Sequence, residues 1–207
     1  MIYIRIIFFF TVLSTSFLVS QDSTFDSYHI SIGVSLPMAP DKFYDYWQNG
    51  FTIGGGIGYS QSPNSAVLLS ANYTRFSLSK ERFFSGLQIP SKGNSISGAA
   101  THIIAASALY KYEPSSQAQA LPIYFLFGGN IELTSIGAAT AIYSGYTADQ
   151  PSEPYLVLSA VIGIGLTFKI NPVSDLYIEG KYILGVLRKA NANSNFIPIN
   201  IGLQTAI

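Results

Sequence analysis

Residues 155–168 read YLVLSAVIGIGLTF, and their side chains sort with a period of two. Leu156, Leu158, Ala160, Ile162, Ile164, Leu166 and Phe168 fall on one face, while Tyr155, Val157, Ser159, Val161, Gly163, Gly165 and Thr167 fall on the other. Successive side chains of a strand point to opposite sides, so this text predicts a β-strand with one wholly apolar face and one small or polar face. A helix of the same length would scatter both classes around its axis.

The same alternation recurs on either side. In 28–36, Tyr28, Ile30, Ile32, Val34 and Leu36 oppose His29, Ser31, Gly33 and Ser35. Residues 51–60 and 196–207 repeat it, the latter with Ile197, Ile199, Ile201 and Leu203 against Pro198, Asn200, Gly202 and Gln204. Four noisier segments, 67–74, 99–112, 123–132 and 176–184, fit the scheme and bring the candidate strands to eight. The Ala-rich 99–112 also suits a helix.

Composition narrows the class. The chain has 207 residues with 11 basic and 11 acidic side chains, which leaves no electrostatic footprint for nucleic acid. Charged residues make up only 11%, well below the quarter or so usual for soluble domains, and mean hydropathy is +0.32. With zero cysteines, disulfides and thiolate chemistry are excluded. Residues 1–20 carry a positive end at Arg5, an apolar stretch over 6–13 and a small-residue region before Gln21. That layout predicts a signal peptide over 1–20, followed by one domain over 21–207.

The connections alternate in length. Residues 37–50, 79–98 and 133–154 are long, whereas 61–65 and 169–174 are tight turns; 113–120 is shorter and 187–195 intermediate. All long connections then lie at one end of the sheet, as in transmembrane barrels. The ionisable groups His29, Glu132, Glu179 and Lys181 share the small or polar faces. Eight apolar faces on a soluble protein would expose more grease than monomers tolerate, so the apolar side is expected to face lipid and the polar side a lumen. The predicted fold is all-β, an antiparallel eight-stranded transmembrane up-and-down barrel. Tyr143 and Tyr146 in the third long connection leave ten strands open.

On these features the chain resembles the small eight-stranded outer-membrane β-barrels of Gram-negative bacteria. The resemblance covers 21–207 and rests on the alternating segments, the loop order and a closing strand in which Ile199, Ile201, Leu203 and Ile207 share a face. It implies residence in the outer membrane, contact with membrane lipid and lipopolysaccharide, insertion by the barrel-assembly machinery, and a monomer. Members of the family usually end on an aromatic residue, whereas this chain ends on Ile207.

Catalytic chemistry is sparse in the text. His29 and His102 belong to no metal-ligand spacing, and no GxSxG occurs. His29 and Ser31 share a strand face, a combination similar to that of a lipid A deacylase barrel, but this face is the lumenal one. The glycine run 54–58 sits within a strand and opens no helix, so a nucleotide loop is not expected. No cofactor and no metal are expected. An eight-stranded barrel is narrow enough for side chains to fill, and charges inside it must be paired. Glu132, Glu179 and Lys181 are therefore expected to form a lumenal network with Lys181 between the two carboxylates. Phe43, Tyr44, Tyr46, Trp47, Phe83 and Phe84 in the first two long loops form the candidate contact surface for an extracellular partner, or else anchor the loops at the lipopolysaccharide interface. The reading is a non-enzymatic envelope or surface-interaction barrel, with a lipid-modifying enzyme or a narrow channel as alternatives.

Overall fold

Alternation of Ile, Leu and aromatic residues with Gly, Ser and Thr leaves each strand one face that water rejects and one face small enough to line a tight tube. The computed structural model describes residues 25–38, 46–86, 88, 90–114, 122–143, 146–187 and 195–207, and in it these strands close on themselves. In chain order they are β1 (Ser27–Pro37), β2 (Gly50–Ser62), β3 (Ser65–Phe76), α1 (Lys80–Gly86), β4 (Ser95–Gly98), β5 (Thr101–Tyr112), β6 (Ile123–Ile136), β7 (Ala139–Tyr143), β8 (Tyr146–Gln150), β9 (Glu153–Asn171), β10 (Ser174–Leu187) and β11 (Phe196–Ala206). Eight of them form a closed antiparallel barrel in the order β1-β11-β10-β9-β6-β5-β3-β2. Each barrel strand except β1 and β11, which meet at the seam, pairs with its barrel neighbours in the chain on both sides, which is up-and-down connectivity. The predicted signal segment 1–20 lies outside the described residues.

Two sequence-based alternatives resolve. The Ala-rich fourth segment is strand β5 rather than a helix, its Ala105, Ala106 and Ala108 alternating between the two faces. The third long loop adds no ninth or tenth staves to the barrel. Its β7 and β8 pair with each other and with β4 from the second long loop in a separate three-stranded sheet.

Registers give the stagger. From Ser31 through Gly54, Asn72, Ala105 and Glu132, successive pairings reach Val157 on β9. In the other direction, through Gly202 and Tyr177, they reach Thr167 on the same strand, ten residues away. A stagger of this size in eight strands tilts them about 40° from the barrel axis.

The faces sort with one sense all the way round. Outward residues such as Ile30, Ile32, Ile53, Ile104, Leu133, Ile162 and Ile201 are exposed, from 44 to 59%, whereas inward Thr52, Thr74, Asn130, Glu132, Glu179 and Asn200 are nearly inaccessible. Inverted sorting of this kind is stable only where the surrounding solvent is apolar. Closure matters equally, because a sheet in lipid has no water to satisfy a free edge. At the seam β1 pairs with β11 from Ser27↔Ala206 to Pro37↔Phe196.

The tube is narrow, and glycine makes room where large rings enter it. Tyr124 on β6 lies across Gly165 on β9, and Tyr177 on β10 lies across Gly202 on β11; a Cβ at either glycine would collide with the facing ring. Each ring thus occupies the space its cross-strand glycine leaves.

Candidate functional site

The lumen collects the polar chemistry of the barrel. Phase alone turns Glu179 and Lys181 inward on β10, two residues apart on the same face, and their side chains meet at 2.6 Å between Lys181 Nζ and Glu179 Oε1. The Tyr124 hydroxyl donates to the second carboxylate oxygen, Oε2, at 3.1 Å. Both members of the ion pair are more than nine-tenths buried. Glu132, also fully buried, is held from other directions: Asn130 Nδ2 donates at 2.9 Å and Ser159 Oγ at 2.8 Å, both to Oε1. The structure thus joins Lys181 directly to Glu179, and it surrounds Glu132 with neutral donors from β6 and β9.

Lys111 on β5 is a second lumenal cation, buried on the inward face. Its Nζ lies 2.7 Å from Glu113 Oε1, 3.5 Å from Gln204 Oε1 and 4.4 Å above the centre of the Tyr124 ring. The aromatic ring of Tyr124 therefore stands between the two lumenal ammonium groups, touching one with its face and the other's carboxylate with its hydroxyl. A cavity of about 20 Å³ remains here, lined by His29, Lys111, Tyr124, Tyr177, Glu179 and Lys181 among others, with room for a water molecule.

His29 and Ser31 face this interior. The His29 ring packs edge-on against Tyr177 at 6.4 Å, and Ser31 is buried. Towards the loop end the lining turns to hydroxyls: Ser35, Thr52 and Thr74 are linked side by side across β1, β2 and β3.

Above the hydroxyls the loop end is stoppered. Phe76 and Phe196 meet edge to face at 5.4 Å, with Ile103, Ile183 and Trp47 in the same buried cluster. Trp47 is fixed by its bridge to Leu78 and by flanking backbone bonds, Gln48 N to Ser77 O and Ser79 N to Tyr46 O, both 2.8 Å. Arg82 of α1 donates from Nη1 to Trp47 O at 2.6 Å. Trp47 and Phe84 are buried, at 4% and 0% exposure, so neither ring offers an exposed contact surface, and Trp47 belongs to the cluster that lids the mouth. The reason is geometric: the β2–β3 pairing continues past the rim through Trp47 and Leu78, which carries the Trp47 ring into the buried cluster with Phe76 and Phe196. Tyr46 and Phe83 are half-buried and touch at 5.6 Å on the lid. Phe43 and Tyr44 lie outside the described residues.

Because the chain has a single tryptophan, the lid can be read directly. Native Trp47 is expected to emit at short wavelength and to resist acrylamide. Arg82→Ala removes the bond to Trp47 O, at a local cost of about 1–3 kcal/mol, and is expected to shift the emission to the red and raise quenching. Identical emission and quenching in the variant would mean that the lid is held by something else.

No family model and no curated protein matches the chain. Among solved structures, it is similar to the N-terminal β-barrel domain of Pseudomonas aeruginosa OprF, with 16% identity and a TM-score of 0.47 over 90% of this chain and 100% of that one. Neisserial surface protein A is matched at 14% identity and a TM-score of 0.48, again over 90% and 100%. The attachment invasion locus protein Ail of Yersinia pestis is matched at 16% identity and a TM-score of 0.42 over 88% and 99%. With identities this low and TM-scores below 0.5, the likeness adds nothing to the architecture that the strand registers already establish.

Proposed function

We propose that the chain is an integral outer-membrane barrel with a side-chain-filled lumen. It catalyses nothing, and it serves envelope structure or surface interaction through its loop end. The observation that carries this reading is the inverted sorting of the barrel, a continuous apolar exterior around a paired, packed polar interior. Only a bilayer stabilises such an exterior, and only a closed sheet can cross one with strands. The lid of Trp47, Phe76 and Phe196 favours a plug over an ion path. His29 and Ser31 point into packed space with no room for a lipid substrate, which weighs against catalysis by that pair.

Its partners on this reading are membrane lipid and lipopolysaccharide around the belt, the barrel-assembly machinery during insertion, and a second molecule met at the loop end. The exposed aromatic nearest that role is Tyr146, at 71%, with Ile142 at 49% on the neighbouring strand of the small sheet. The expected results are heat-modifiable migration on an unboiled gel and no single-channel steps from the purified protein in planar bilayers. Reproducible conductance steps would replace the plug by a channel, and a soluble, heat-insensitive monomer would end the membrane reading altogether.

A further inference from the structure

Among the described residues, the outward faces of the eight barrel strands carry two side chains able to hold a positive or negative charge near neutral pH, Arg75 on β3 and His102 on β5. The register sets them directly opposite each other. Arg75 is exposed and alternates with buried Thr74 and Phe76, so its guanidinium leaves the barrel on the lipid side. The next outward residue of β3, Tyr73, stacks on His102 with ring centres 5.9 Å apart and planes 27° apart. Its hydroxyl lies 2.7 Å from His102 Nδ1. Ser135 on β6 faces His102, and Phe51 on β2 faces Arg75, completing a partly polar row.

Among the described residues no acidic side chain neutralises this row. No acidic side chain among the described residues comes within 4.0 Å of Arg75; the two ion pairs found, Lys111–Glu113 and Lys181–Glu179, both involve inward-facing lysines. Its height decides what is available instead. Ser65, beside the short turn, and Arg75 are ten residues apart on β3. That is about 33 Å along the strand and about 25 Å along the axis at the barrel's tilt, the height of a lipid-facing apolar band. Arg75 and His102 therefore stand at the headgroup level of the loop-side leaflet. One row further down, past Ile53, Tyr73 and Ile104, the outward faces narrow to Gly55, Ala71 and Ala106, a shallow strip between larger side chains on which an acyl chain can lie.

We propose that Arg75 and His102 form a site for the phosphate of an anionic lipid in that leaflet, with Tyr73 as a positioning residue. A guanidinium matches two phosphate oxygens with its fork of donors. With the Tyr73 hydroxyl donating to Nδ1, the imidazole proton sits on Nε2, free to donate to the same phosphate. The proposal rests on the membrane reading above, and the experiment separates the two.

The purified barrel is inserted into phosphatidylcholine vesicles and into mixed phosphatidylcholine and phosphatidylglycerol vesicles, then extracted and weighed with its retained lipids by native mass spectrometry. The wild type is expected to retain one phosphatidylglycerol in preference to phosphatidylcholine by about fivefold or more, as one unneutralised cation at a membrane surface produces. Arg75→Gln with His102→Gln is expected to bring that preference close to one while leaving insertion and heat-modifiable migration unchanged. Tyr73→Phe, which keeps the ring and loses the hydroxyl, is expected to fall between. Excess inorganic phosphate is expected not to displace the lipid; displacement would show a free-anion site and overturn the lipid assignment. Normal insertion with equal retention of both lipids, or with a preference that survives the double substitution, overturns this proposal alone. Failure of the wild type to insert into either vesicle overturns the membrane reading and this proposal with it.

Discussion

Lys181→Met is expected to destabilise the folded barrel by about 3–5 kcal/mol, the usual result of stripping one partner from a buried ion pair. The Glu179 carboxylate is 6% exposed and takes its two closest contacts from Lys181 at 2.6 Å and Tyr124 at 3.1 Å. Methionine fills nearly the same volume as lysine, so packing survives and the loss is electrostatic. A carboxylate left with neutral donors alone in a tube closed by aromatic rings has little access to bulk water. The double substitution Lys181→Met with Glu179→Gln is expected to recover most of the loss, because it removes the stranded charge as well. Urea titration of the refolded protein, scored as the heat-modifiable fraction on unboiled gels, measures all three. A single variant within about 1 kcal/mol of wild type would show that Glu179 does not depend on Lys181.

The second large effect tests the orientation of the wall. Ile201 sits midway along β11, outward, between Ile32 on β1 and Ile178 on β10. All three are exposed, from 42 to 54%. Ile201→Arg places a guanidinium at the centre of the apolar band, where charge costs about 2–4 kcal/mol, against about 0–1 kcal/mol near an interface. Thr205→Arg, on the same face at the turn-side end of β11, is the matched control. The midpoint of unfolding in phospholipid vesicles is expected to fall for the first and to stay near wild type for the second. In a water-facing sheet both would be close to neutral, within about 0.5 kcal/mol, and the exterior would need reassigning.

How far the text of the chain could be read depended on whether a side chain's position follows from local phase or from register. Period-two alternation is local, so the staves and their two faces were visible in 28–36 or 155–168 without any partner. The inward direction of Glu132, Glu179 and Lys181 followed for the same reason. Which inward groups meet is set by a stagger of ten residues accumulated around the circle, and no single strand contains that number. Hence the pairing of Lys181 with Glu179 lay within one strand's reach, while the place of Tyr124 between Lys111 and Glu179 did not. The loop rings failed differently. Residues 46–49 and 77–86 have no periodicity from which to assign a face, and aromatic text in a loop reads equally as surface or stopper. Trp47 is buried because the β2–β3 pairing runs on past the rim to Leu78 and Arg82, a long-range event. Arg75 and His102 were each visible as residues, but only the β3–β5 register makes them neighbours.

The seam between β1 and β11 has a bearing on how this molecule comes into being. Ser27 finds its mate at Ala206, and Ile32 at Ile201, so the final staves to be joined are the earliest and latest made. Until that happens, any inserted intermediate has two raw borders of amide and carbonyl groups in hydrocarbon, each group costing several kcal/mol. Half a cylinder is therefore no resting place, and threading into the bilayer must be nearly all-or-none. A partner able to shield both borders at once would speed biogenesis more than any improvement of the interior.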